Sequence, residues 1–168
     1  MANRITTAVP VSIDSFIKKQ AVADAIVNIV LTGGVNYWLT YRLPFVPGTL
    51  PIGNPAPNLG GTFLGIAVLM SVFLTLIVFA ITVSQRKAGK IVPGLPASTR
   101  AGLAPWRLVA KHLALALALA ITAGVVLHSS MPDLRLSPLV FTLIATVVAA
   151  IGAFFMSKST TRATLALG

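Results

Sequence analysis

The chain has 168 residues, of which 56% are hydrophobic and only 10% charged, and its mean hydropathy is +0.91. A soluble domain carries about a quarter charged residues, so a single membrane domain is expected, with no separate soluble domain. There is no cysteine, which excludes disulfides, thiolate metal sites and cysteine nucleophiles.

The net charge of +10 comes from 13 Lys and Arg against three acidic residues. On a soluble protein such an excess points to nucleic acid. Here the basic residues stand at the ends of apolar runs, where membrane topology accounts for them. No basic stripe with interleaved aromatics is present, so no nucleic-acid partner is expected.

Residues 1–19 read as a cytoplasmic or interfacial arm. Pro10 breaks regular structure. Ser12 or Ser15 can cap a short helix that leads through Phe16, Ile17, Lys18 and Lys19 into the first span. Apolar Val11, Ile13, Phe16 and Ile17 beside two lysines suit a segment at headgroup level; a plain extension of the first helix fits equally well.

Four apolar runs follow, at 20–41, 61–83, 109–128 and 139–156. Each is close to the ~20 residues that a transmembrane helix needs, and backbone in hydrocarbon must bond within its own segment. The first run is longer than a signal-peptide core and ends without a small-x-small cleavage site, so it reads as a retained anchor. The fold class expected is all-α, a polytopic bundle of four transmembrane helices over 20–157, followed by a cytoplasmic tail at 158–168.

Of the 13 basic residues, all but Arg42 and Arg135 lie in the N-terminal arm, in or beside the central loop, or in the tail. By the positive-inside rule this places both termini and the central loop in the cytoplasm of a bacterial inner membrane. The connections at 42–59 and 129–137 then face outward. The first of these is dense in proline: Pro44, Pro47, Pro51, Pro55 and Pro57. Such a loop serves as a stiff connector, a cover over a pore mouth or a docking element. Tyr37, Trp38 and Tyr41 at its start are expected to anchor the outer interface, and Trp106 the inner one. Pro105 suits the first turn of the third helix.

Asp24 is the only acidic residue inside an expected span. An ionisable group there is costly and is expected to face protein and find a partner. Asn28, Thr32 and Asn36 continue from it as a polar stripe along one side of the helix. Arg107 and Lys111, at similar depth on the third span, are the candidate ion-pair partners. The stripe either lines a polar cavity for an ion, proton or small solute, or fixes helix packing. Gly33 and Gly34 beside it, and Gly61 with Gly65 on the second span, are candidates for close helix approach. Ser71, Thr75 and Thr82, and Thr142, Thr146, Ala149, Ala150 and Ala153, read as further packing surfaces.

His112 and His128 lie 16 residues apart on one helix, or about 24 Å at 1.5 Å per residue. They cannot share one haem. Ligation of a pigment by a single histidine is the remaining cofactor option, and an interfacial position for both is the simpler expectation. No cofactor or metal site is expected. Catalysis is not expected either, because no HExxH, carboxylate pair, phosphate-cradling glycine loop or Ser/His/Asp set occurs.

The segments Ala23-Asp24-Ala25-Ile26-Val27-Asn28, Thr62-Phe63-Leu64-Gly65, Leu74-Thr75, Arg86-Lys87-Ala88-Gly89-Lys90 and Leu136-Ser137-Pro138-Leu139-Val140-Phe141 resemble those of small four-helix bacterial membrane proteins labelled permease. Asp24 and Asn28 match the Asp-Ala-Ile-Ile-Asn type segment of that group. The chain departs from it in its long proline-rich loop and in lacking an Arg-rich run after the second span. The resemblance implies a membrane location and transport. Two functional expectations stand: an accessory subunit packed on a larger membrane complex, or a small permease- or channel-like homo-oligomer with Asp24 and Asn28 at its polar centre. The lipid bilayer is a partner in both.

Overall fold

The computed structural model describes residues 13–49, 54–91 and 104–166. Its helices are α1 (Ile13–Thr40), α2 (Leu59–Leu69), α3 (Thr75–Lys87), α4 (Ala104–Ser130) and α5 (Pro138–Leu165). A single π-helical turn, Met70–Leu74, joins α2 to α3 into one rod. Four helices result that are long and apolar enough to cross a membrane: α1, the rod Leu59–Lys87, α4 and α5. The all-α expectation is met at that level.

Local sequence sets the helix ends. Asn58 caps α2, its side chain accepting from the Gly61 N–H at 2.7 Å. Ser137 caps α5 ahead of Pro138, whose fixed φ suits a first helical position. At the end of α3 the Gly89 N–H bonds the Arg86 carbonyl and the Lys90 N–H bonds the Gln85 carbonyl. That pair of bonds needs a left-handed residue, and Gly89 supplies it at φ 69°.

Two boundaries differ most from the hydropathy reading. The first helix starts at Ile13, so the described part of the arm extends the span as continuous helix. Ser15 lies inside that helix rather than ahead of it, while Pro10, Val11 and Ser12 lie outside the described residues. α5 runs through 158 to Leu165, with Thr160, Thr161 and Thr164 fully buried. This stretch is therefore packed helix. Hydropathy ended the span at 156 because Ser, Lys and Thr follow, and tertiary contact overrides that signal.

The spans touch in the order first, fourth, second, third. α1 makes its interface with α5, α5 lies against the Leu59–Lys87 rod, and the rod lies against α4. The two flanking helices, α1 and α4, leave most of their surface exposed. The small faces of α5 make close contact possible: Ala145, Ala149 and Ala153 are fully buried. Met70 of the π turn packs on Ala149 and Ala153 and reaches over Gly152.

At the end opposite the chain termini the two connections are pinned together. Strand β1 (Val46–Pro47) pairs antiparallel with β2 (Arg135–Leu136). The Gly48 N–H bonds the Leu134 carbonyl at 2.8 Å, and the Gly60 N–H bonds the Gly48 carbonyl at 2.9 Å. Arg135 stacks on Phe45 at 4.5 Å. Beneath this clasp Val46, Leu59 and Phe141 form a buried cluster, with Leu43, Phe63, Leu127, Leu136 and Ile144 around it.

Phe141 joins the clasp to three spans. Phe141→Ala is expected to cost about 3–5 kcal/mol. The cost should appear as a lower thermal midpoint of the detergent-solubilised protein.

Candidate functional site

The polar groups of the helical region gather toward the end that carries the termini, on both sides of α5. On one side, Asp24 of α1 meets Ser157. The Ser157 hydroxyl donates to Asp24 Oδ2 at 2.6 Å, and Gln20 Nε2, one turn back on α1, donates to Oδ1 and Oδ2 at 3.0 and 3.1 Å. On the other side, His112 of α4 is buried between two spans. Its Nδ1 lies 2.9 Å from Thr75 Oγ1 at the start of α3, and its Nε2 lies 3.2 Å from Ser159 Oγ of α5. Ser157 and Ser159 are two residues apart, roughly 200° around a helix, so they serve opposite neighbours.

These contacts satisfy a strict requirement. A buried polar group that lacks a partner costs about 1–3 kcal/mol or more, and the spans offer few alternatives to one another. His112 therefore joins three spans with one ring. Ser71 within the π turn and Thr75 just after it are both fully buried. Nearer the end, Arg86 is 2% exposed and donates to the Thr164 carbonyl at 2.6 Å, closing the last turn of α5.

Of the expected polar stripe, Asp24 meets α5 through Ser157, and Asn28, Thr32 and Asn36 are half-buried on α1. The amide and hydroxyl donors turn back on α1 itself. Asn28 Nδ2 bonds the Asp24 carbonyl at 2.9 Å, Asn36 Nδ2 bonds the Thr32 carbonyl at 2.8 Å, and the Thr40 hydroxyl bonds the Asn36 carbonyl at 2.7 Å. Arg107 and Lys111 stand exposed on α4, and α1 makes no comparable interface with that helix. The structure gives Asp24 neutral partners on α1 and α5 in place of either cation. Lys158, next to Ser157, lies 5.8 Å from the Phe154 ring.

Of the four glycines, Gly33 is at a helix contact: a Cβ there would come within 3.1 Å of Thr146 Oγ1. Gly34 and Gly65 face open space, and a Cβ at Gly61 would meet its own cap residue, Asn58. The glycine pair on the second span is thus used for its cap and not for helix approach. Tyr37, Trp38, Tyr41 and Trp106 are all exposed, as interface anchors must be. Tyr37 and Tyr41 pair at 6.2 Å, with Arg42 over the Tyr41 ring at 5.1 Å. His128 is exposed near the clasp, 3.3 Å from Thr49 Oγ1, whereas the interfacial expectation for His112 is corrected by its burial.

Sequence reasoning missed Gln20, Ser157, Ser159 and the inter-span role of His112. Gln20 carried a usable signal, because it precedes Asp24 by one turn. Among the described residues no group of three or more His, Asp or Glu is placed to hold a metal.

Two outcomes check this arrangement. His112→Phe strands the Thr75 and Ser159 hydroxyls and is expected to cost about 1–3 kcal/mol, read as a lower midpoint in a denaturant titration in detergent, with His112→Gln losing less. Gly33→Leu should weaken the α1–α5 contact and depress the same midpoint, while Gly34→Leu and Gly65→Leu leave it near the parent value.

Comparison with protein-family models, with curated proteins and with solved structures finds no match.

Proposed function

We propose that this chain is a non-catalytic, multi-pass protein of a bacterial inner membrane, with both termini cytoplasmic, that serves as an accessory subunit packed against a larger membrane complex. The observation that carries the reading is where its polar side chains go. Asp24–Ser157 and Ser159–His112–Thr75 bond across spans, and Asn28, Asn36 and Thr40 bond back on α1. At the outward end the apolar cluster of Val46, Leu59 and Phe141 lies under the β1–β2 clasp. A solute path needs polar groups left available to replace hydration, and Asp24, Ser157, Ser159, His112 and Thr75 are committed to contacts between spans.

The two flanking helices favour a partner in the membrane. α1 and α4 present long apolar faces outward, including Ile26, Val30 and Leu31 on the first and Leu115, Leu119 and Val125 on the second. Helices of another subunit can pack there as readily as lipid tails, because association in a bilayer is driven by packing rather than by escape from water. A second reading, a small permease- or channel-like homo-oligomer, is favoured by one observation: Asp24 has neutral partners at membrane depth, and intramembrane carboxylates mark ion paths in many transporters.

Gentle purification from the native membrane, with mass spectrometry of the intact particle, separates the two. The accessory reading expects co-purification in fixed ratio with larger membrane subunits; a particle made of this chain alone would overturn it. The second reading expects Asp24→Asn to abolish flux in proteoliposomes while assembly stays intact.

A further inference from the structure

We propose that the outward side of α1, near its start, holds one anionic phospholipid, with the phosphate at Lys18 and Lys19 and an acyl chain along Val22, Ala23 and Ile26. The proposal rests on the membrane-spanning part of the reading above. It rests neither on the accessory role nor on the direction in which the termini face.

Ser15, Lys18, Lys19, Val22, Ala23 and Ile26 line a shallow groove of about 470 Å³. Their spacing places all six on one side of the helix. The buried residues of this stretch, Ile17 and Ala21, fall on the other side, as does Asp24, which meets Ser157. The groove therefore opens away from the bundle, with Val22 and Ile26 exposed along it. Its chemistry changes along its length: two ammonium groups stand at one end, and apolar side chains follow over the next two turns. Neither lysine has a hydrogen-bond or ion-pair partner among the described residues, whereas Lys87 and Lys158 are engaged. Asp14, the acidic residue closest in sequence, is exposed one turn earlier and does not line the groove. Two uncompensated point charges suit a phosphate, and lysines at a leaflet surface attract anionic lipid. A zwitterionic headgroup would bring a cation of its own beside them.

A second observation sets the depth. Trp38 stands 19 residues beyond Lys19 on the same unbroken helix, about 28.5 Å at 1.5 Å per residue. That matches the ~30 Å thickness of the hydrocarbon layer. Trp38 is 70% exposed and suits one interface. With Trp38 there, the two lysines reach the phosphates of the opposite leaflet, and Val22, Ala23 and Ile26 lie beside its acyl chains. Charge and apolar surface thus follow one another in the order in which a phospholipid presents its phosphate and its chain. The apolar part of the groove distinguishes a lipid from a free phosphate.

The test is native mass spectrometry of the full-length protein in detergent, titrated with phosphatidylglycerol or with phosphatidylcholine of the same chains. The first phosphatidylglycerol should bind about tenfold more tightly than the first phosphatidylcholine. Lys18→Gln with Lys19→Gln should remove most of that preference and leave phosphatidylcholine binding unchanged. Arg107→Gln with Lys111→Gln, an exposed pair on α4, should leave the preference intact. Ala23→Trp fills the groove and should weaken phosphatidylglycerol binding severalfold with both lysines present. Equal affinity for the two lipids, a preference that survives the α1 lysine pair, or an equal loss from the α4 pair would each overturn the proposal. Competition by inorganic phosphate as strong as that by the lipid would do the same and assign the lysines to a free anion. Flotation with phosphatidylcholine vesicles after an alkaline wash is read in parallel. Failure to integrate overturns the membrane-spanning reading and this proposal together, whereas integration without a lipid preference overturns the proposal alone.

Discussion

Close contact along α5 is the constraint on which the rest of the structure depends. Ala145, Ala149 and Ala153 are fully buried, and the methyl-sized side chains allow neighbouring helices near approach. In lipid the hydrophobic effect gives no drive for helices to associate, so dispersion between well-fitted surfaces must hold them. Gly33 meets Thr146 on one side, and Met70 reaches over Gly152 on the other. α5 is therefore the shared wall of two interfaces, and the order of the spans follows from it.

A second rule acts on top of packing. A polar group brought into the helical region costs free energy unless it finds a partner there. The longer side chains of α1 solve this locally, by bonding carbonyls one turn back. The groups unable to do so define the inter-span contacts, Asp24 with Ser157 and His112 with Thr75 and Ser159. Five buried hydroxyls remain without partners among the described residues, and four of them, Thr142, Thr146, Thr160 and Thr161, lie on α5. The helix richest in contacts is also the one with the most unfilled hydrogen-bonding capacity.

The architecture was legible in the sequence because hydropathy reports lipid exposure directly. Each of the four long apolar runs falls in a helix long and apolar enough to cross a membrane. The end of α5 was hidden for the same reason: Ser, Lys and Thr read as tail when hydropathy is the only guide, yet Thr160, Thr161 and Thr164 are buried by neighbours far away in sequence. Asp24 and its stripe were legible as a polar line on one helix face. Their partners were not. Charge and depth suggested Arg107 and Lys111, but which helix lies beside α1 is decided by shape complementarity with α5, and no periodicity within α1 records it. His112 illustrates the same limit, since a histidine near a span end reads alike whether it faces headgroups or two other helices.

The order of contacts has a consequence for how the molecule is made. α1 comes earliest in chain order among the described helices, and its principal neighbour, α5, comes latest. Until α5 has been made, the first helix lacks the surface it packs on, and its carboxylate lacks its serine partner. The first span cannot pair with the second, because α5 lies between them, whereas the rod and α4 meet directly. α5 is thus the keystone that joins α1 to the pair already formed by the rod and α4.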